Sequence, residues 1–202
     1  LRDFGGGGLK LVFVKRSTFL HLLSLFVVAT CLALPARADD PSVILKTSMG
    51  NITIQLDPTH APISTANFLA YVDQKKYDGT IFHRVIPGFM AQGGGFKPDM
   101  TEIAYLPPIQ NEATNGLKNL RGTISMARTS DPNSATAQFF LNFVDNASLD
   151  PNEQSAGYAV FGKITDGLDV LDKIAQVQTT TVGPYENVPA KPITIISARR
   201  AK

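Results

Sequence analysis

Residues 82–95 read Phe-His-Arg-Val-Ile-Pro-Gly-Phe-Met-Ala-Gln-Gly-Gly-Gly, and their types and spacing can do chemistry that needs no nucleophile. A strand with period-two side chains through 82–86, a Pro87-Gly88 corner and a second strand from Phe89 let Arg84, Met90 and Gln92 converge on one surface. On this reading Arg84 shares its face with Phe82 and Ile86, and Phe89 opens the second strand. A permanent guanidinium beside an amide and two large apolar groups is an odd surface for a sheet that needs only a core. It can hold an apolar group and donate hydrogen bonds beside it at any physiological pH. Gly93, Gly94 and Gly95 are not a phosphate cradle, because they lie within the strand pair and lack the lysine and hydroxyl of a P-loop. They are read as allowing close backbone packing and a bend. His83 is expected to point away from Arg84 by strand alternation, as a satisfied structural histidine.

Positioning these groups takes a sheet, and the rest of the chain supplies one. Residues 43–47 and 51–56 alternate around Met49-Gly50-Asn51, the pattern of a β-hairpin. Pro62 opens a helix with Ile63, Ala66, Leu69 and Val72 on one face. Residues 96–119 form a loop long enough to be a binding rim. Strands are predicted at 122–126, 138–144, 159–164 and 193–198. Asp166 is predicted to cap a second helix that faces inward with Leu168, Leu171 and Ile174. Alternation places Gln138 and Phe140 on one face and Phe139 on the other. Many antiparallel strands with only two helices point to a closed barrel plugged by those helices, since closure removes exposed edges.

The 82–95 stretch resembles the signature of the cyclophilins, the peptidyl-prolyl cis-trans isomerases. Gly122-Thr-Ile-Ser-Met-Ala127, Gln138-Phe-Phe140 and Val160-Phe-Gly-Lys163 match further family segments in order, so the resemblance runs from about Val43 to Ala198. The tail from Val182 to Pro192 looks most like the periplasmic cyclophilins of Gram-negative bacteria. The resemblance implies a mainly β fold: a closed eight-stranded antiparallel β-barrel, an α-helix covering each end, and the site on the outer wall. It implies an enzyme without metal or cofactor, probing proline-containing unfolded or flexible polypeptides.

The chemistry this implies is demanding in rate but simple in parts. Resonance sets a barrier of about 18–20 kcal/mol to peptide rotation, and X–Pro isomers exchange in tens to hundreds of seconds. Reaching milliseconds takes roughly 7 kcal/mol of preferential transition-state binding. In the family the residue matching Arg84 donates toward the prolyl nitrogen and weakens the resonance, so Arg84 is the expected catalytic group, with Gln92 hydrogen-bonding and orienting it. Phe89, Met90, Phe140 and Leu149 match the proline-pocket positions, and Gln138 the substrate-backbone contact. Ala127 and Arg128 match an Ala-Asn pair whose backbone grips the substrate. Arg128 departs from that pattern, and is expected to shift preference among flanking residues. Tyr158 stands where many members have a pocket histidine and can supply the same wall. Ser148 stands where many eukaryotic members carry a tryptophan, so weak cyclosporin binding is expected. The rival reading is a non-catalytic proline-peptide-binding module or chaperone using the same groove.

The 202 residues suffice for one domain with a full core. Five of the 19 basic residues but only one of the 17 acidic ones fall within residues 1–38, so the remainder is slightly acidic and has no nucleic-acid surface. The single cysteine, Cys31, also lies there, which excludes disulfides and Cys-ligated zinc from the rest. Lys15-Arg16, an apolar run through 19–34, Pro35 and Ala36-Arg37-Ala38 read as a signal peptide cleaved after Ala38, leaving an isomerase domain at 39–202. Alternatives are an uncleaved anchor, disfavoured by the short run carrying His21, Ser24 and Thr30, and lipidation at Cys31. Residues 1–9 resemble no signal segment and are read as translation from a start assigned too far upstream. The expectation is a periplasmic monomer with no stable membrane insertion after cleavage.

Overall fold

In a computed structural model, which describes residues 40–201, eight strands close into an antiparallel barrel and a two-stranded hairpin stands outside it. The chain runs β1 (Ser42–Thr47), β2 (Gly50–Leu56), α1 (Pro62–Asp73), β3 (Thr80–Ile86), β4 (Met90–Phe96), β5 (Thr123–Met126) and β6 (Phe139–Asn142). A 3₁₀ turn over Ala147–Leu149 follows, then β7 (Val160–Asp166), α2 (Leu168–Ala175), β8 (Thr179–Val182), β9 (Tyr185–Pro189) and β10 (Ile193–Arg200). Around the barrel the order is β1, β10, β3, β4, β6, β5, β7, β2, closing back on β1. Closure leaves the barrel no free edge, as the strand-rich pattern required.

The interior is aromatic. Phe68, Tyr77, Phe82, Phe139 and Phe161 are fully buried. Phe68 of α1 sits 5.2 Å from Tyr77, 5.3 Å from Phe161 and 5.5 Å, edge-on, from Phe139. Rings at such distances and tilts make the edge-to-face and offset contacts that aromatic side chains favour. Pro62 begins α1 as predicted, but its first N–H groups are satisfied from the 96–119 loop: Ile63 and Ser64 donate to the Glu112 carboxylate at 2.9 and 2.7 Å.

Each helix buries part of the expected face, Leu69 and Val72 in α1 and Leu171 and Ile174 in α2, and exposes the residues expected at its start. In α1, Ile63 and Ala66 are exposed, while Phe68, Leu69, Tyr71 and Val72 pack inward with Ser64 and Thr65. The buried arc includes small polar residues, so a count of apolar spacing misplaced it. In α2, Val170, Leu171 and Ile174 are buried but Leu168 is 42% exposed. Asp166 ends β7 and does not cap; the N-cap is Gly167, with φ +93° and no side-chain hydrogen bond. A Cβ there would lie 2.3 Å from the Asn51 carbonyl oxygen, so close packing on β2 decides that residue.

The β8–β9 hairpin was not foreseen, because Thr-Thr-Thr-Val and Tyr-Glu-Asn-Val-Pro have no clear apolar alternation. It packs on the barrel through Val188, which is buried, and Tyr185, whose ring meets Phe96 at 5.1 Å.

Candidate active site

Three adjacent strands put the expected residues in one row on the outer wall. Arg84 of β3 is the register partner of Gln92 of β4, and Gln92 is the partner of Phe140 of β6. The next row carries Ile86 opposite Met90. A β-bulge makes this possible. Phe82 pairs with Gly93 but Arg84 pairs with Gln92, so β3 takes two steps where β4 takes one. Phe82 therefore points into the barrel while Arg84 and Ile86 face outward, which corrects the shared face expected for Phe82 and Arg84. Bulges re-aim side chains in just this way.

His83 is the bulged residue, and this corrects its expected orientation too. It does not point away from Arg84; both line one cleft. Nor is it satisfied, since its Nδ1 is buried without a hydrogen-bond partner. Burial, with the nearby charge of Arg84, lowers its pKa from 6.5 to about 4, so the ring is neutral near pH 7. Its ring packs 4.6 Å from Phe96.

Beside Arg84 lies a second apolar cluster, separate from the barrel core. Met90, Ala127 and Phe140 are its buried members, with Ile86, Phe89, Leu149 and Tyr158 half-buried around them. The structure thus brings together Phe89, Met90, Ala127, Phe140, Leu149 and Tyr158, all expected from the sequence. Ile86, expected on the face of Arg84, joins them as a further member of the cluster. A half-buried apolar ring set beside a guanidinium suits a small apolar ring of a ligand, with a donor at its edge.

Gln92 is not bonded to Arg84 as expected. Its Nε2 donates to Gln138 Oε1 at 2.8 Å, and Gln138 Nε2 donates to Tyr105 Oη at 3.1 Å. Among the described residues Arg84 has no ion-pair partner. Its charge is available to whatever lies over Gln92. Gly95 explains how Gln138 is placed, since a Cβ there would sit 2.5 Å from the Gln138 side chain. The expected close packing at Gly93–Gly95 is therefore real.

Arg128 turns sideways. Its Nε donates to the Gly157 carbonyl and its Nη1 to the Thr129 carbonyl, both at 2.9 Å, and its guanidinium lies 4.5 Å over the Tyr158 ring. Tyr158 in turn meets Phe140 edge-on at 5.7 Å. The residue that departs from the family pattern thus braces one wall of the pocket by a cation–π contact. The Ala127 N–H donates to the Gln138 carbonyl at 2.9 Å, tying this rim to the residue just before β6.

A buried amide network, missed in the sequence, fixes the opposite wall. Asn146 Nδ2 donates to the Phe89 carbonyl at 2.9 Å and to Asn142 Oδ1 at 2.7 Å. Asn119 Nδ2 donates to Asp150 Oδ1 at 3.0 Å, and Ser125 Oγ donates to Asn119 Oδ1 at 2.7 Å. The Tyr158 N–H donates to the Leu149 carbonyl at 2.9 Å. Asn146 thereby holds the backbone of Phe89, and Asn119, whose Nδ2 also donates to the Tyr158 carbonyl at 3.3 Å, holds that of Tyr158. The signal lay in polar residues inside predicted strands, Ser125 and Asn142, which a core alone does not call for.

Comparison with known proteins decides the family. A sequence model described as cyclophilin type peptidyl-prolyl cis-trans isomerase/CLD matches residues 42–200. The chain belongs to this family. It is 59% identical over 184 residues to a peptidyl-prolyl cis-trans isomerase A of Dickeya dadantii, covering 88% of this chain and 97% of that protein. It is 50% identical to peptidyl-prolyl cis-trans isomerase B of Escherichia coli, covering 77% and 96%. Among solved structures, a Cryptosporidium parvum cyclophilin in the presence of the dipeptide Ala-Pro superposes with a TM-score of 0.69 at 29% identity, covering 80% of this chain and 99% of that one. This cyclophilin is accordingly a peptidyl-prolyl cis-trans isomerase with the closed eight-stranded barrel of its family.

Proposed function

We propose that this cyclophilin isomerises X–Pro bonds through Arg84, without a covalent intermediate, in folding or flexible exported polypeptides. The observation that carries the reading is the row Arg84–Gln92–Phe140, which sets an unpaired guanidinium at the edge of the Met90–Phe140 cluster. A proline ring seated on Phe89, Met90, Phe140 and Leu149 places its amide beside that row. As the amide twists, its nitrogen becomes pyramidal and regains a lone pair. The guanidinium stabilises that form more than the planar one, which is what lowers a rotational barrier. Gln92 and Gln138, locked to each other, hold the substrate backbone, and Ala127 and Arg128 grip it along the rim.

Arg84→Ala separates enzyme from binder. Titration with an Ala-Pro peptide followed by NMR should show binding largely kept while turnover falls about a hundredfold. Turnover equal to wild type would leave only a peptide-binding module.

Residues 1–38 are proposed as a cleaved leader and 39–202 as the periplasmic domain. The leader lies outside the described residues, and the reading rests on the Lys15-Arg16, apolar and Ala36-Arg37-Ala38 pattern. No described helix is long and apolar enough to cross a membrane. Mass spectrometry of the exported protein should find Asp39 as the first residue. Monomeric behaviour and weak cyclosporin binding complete the proposal. The latter follows from exposed Ser148 on the 3₁₀ turn, which offers no large apolar surface. Nanomolar inhibition of turnover by the drug would overturn it.

A further inference from the structure

Gln92 borders two clefts. One lies beside Gln138, Ala127 and Arg128, on the rim already described. The other, of about 290 Å³, opens on the Arg84 side and is lined by His83, Arg84, Gln92, Tyr185, Glu186 and Asn187. Its far wall is the β8–β9 hairpin, outside the barrel.

The hairpin is fixed at this place. His83, Phe96 and Tyr185 form an aromatic ladder with ring centres 4.6 and 5.1 Å apart, and Val188 is buried beneath. Asn187 is held at φ +59°, a left-handed conformation few residue types adopt without cost. His83 is only 5% exposed, lines the cleft, and keeps an unpartnered Nδ1.

The charges of the cleft are few. Glu186 is exposed, is the only carboxylate lining it, and among the described residues forms no ion pair. Arg84 is the only permanent cation, and a prolyl amide on the row engages it. His83 adds no charge near neutral pH, because burial and Arg84 hold it neutral. With substrate on the row, Arg84 keeps its positive charge but directs its donors at the prolyl amide, so the cleft carries one charge of each sign and the Glu186 carboxylate is the group left without a partner.

We propose that this cleft is a second substrate subsite, which takes a lysine or arginine side chain flanking the proline where the polypeptide passes Arg84, with Glu186 as its counter-ion. This rests on the assignment of Arg84 to the prolyl amide. Asn187 and Tyr185 offer hydrogen-bonding groups along the same wall. An exposed ion pair of this kind changes specificity by about two- to fivefold and weakens with salt.

The test is a set of single-proline peptides with lysine, alanine or glutamate placed in turn at each of three positions on either side of the proline. Cis–trans exchange would be measured for wild type, Glu186→Gln and Glu186→Lys, reading the lysine-to-alanine ratio of kcat/KM within each protein. The expected result is a two- to fivefold lysine advantage at one flanking position in wild type, carried by KM and reduced by 0.5 M salt. That advantage disappears in Glu186→Gln and turns into a glutamate preference in Glu186→Lys. The same ratio in all three proteins, with turnover present, overturns the subsite and leaves the isomerase mechanism standing. No acceleration of any peptide by wild type would instead remove the mechanism, and the subsite with it.

Discussion

Phe139 and Phe140 are neighbours in β6 and live in different worlds. Phe139 lies in the barrel with Phe68, Tyr77 and Phe82, and is wholly inaccessible. Phe140 lies on the outer wall with Met90 and Ala127, ringed by side chains that are only half-buried. Both clusters are apolar, and composition does not distinguish them. The difference is in what surrounds each. The inner cluster is closed by α1 and other rings, whereas the outer one is bordered by a guanidinium, two linked glutamines and a network of asparagines. A core built for stability excludes such groups, so the polar frame marks the outer cluster as a binding surface.

This contrast can be broken in order of effect. Phe139→Ala should cost about 3–5 kcal/mol of stability, read as a lower urea midpoint, with specific activity of the folded fraction little changed. Activity lost while stability stayed the same would merge the two clusters. A pH dependence comes next. His83 has its folded pKa depressed to about 4. The unfolded chain, with histidine near 6.5, then binds more protons between those values, so stability rises with pH across that window. Falling from pH 7 to pH 4 should remove about 3 kcal/mol through this one group. His83→Gln should flatten that part of a urea-denaturation series, and an unchanged slope would contradict the buried neutral ring.

Phe140→Ala should differ from Phe139→Ala in losing tenfold or more in kcat/KM, with a smaller stability cost of about 1.5–3 kcal/mol. Asn146→Ala should cost about 1–2 kcal/mol and lower activity several-fold, because the Phe89 backbone loses its anchor. Arg128→Ala should be mildest, about 0.5–1 kcal/mol at Tyr158 with a modest rise in KM. A large drop in kcat there would give Arg128 a direct part in the chemistry.

Much of this was legible in the chain. Period-two alternation separated Phe139 from Phe140 and put Gln138 with Phe140 on the outer face, because β6 is regular. The same rule failed in β3, where one extra residue at His83 breaks the alternation and nothing in Phe-His-Arg announces a bulge. It also failed in α1, whose buried face mixes Ser64 and Thr65 with Phe68 and Tyr71. The Gln92–Gln138 bond and the Arg128–Tyr158 stack depend on contacts 46 and 30 residues apart, which only the closed barrel brings together. The hairpin was invisible because packing on Phe96, rather than its own pattern, makes it fold.

On the proposed mechanism, Arg84 turns the outer cluster from a proline-binding surface into a catalyst. Exchange spectroscopy of an Ala-Pro peptide tests it most directly, with wild type and Arg84→Ala both confirmed folded by circular dichroism. Wild type should accelerate cis–trans exchange and Arg84→Ala should do so about a hundredfold less, while the peptide still perturbs Phe140 and Met90 resonances. Equal acceleration by both proteins would contradict it.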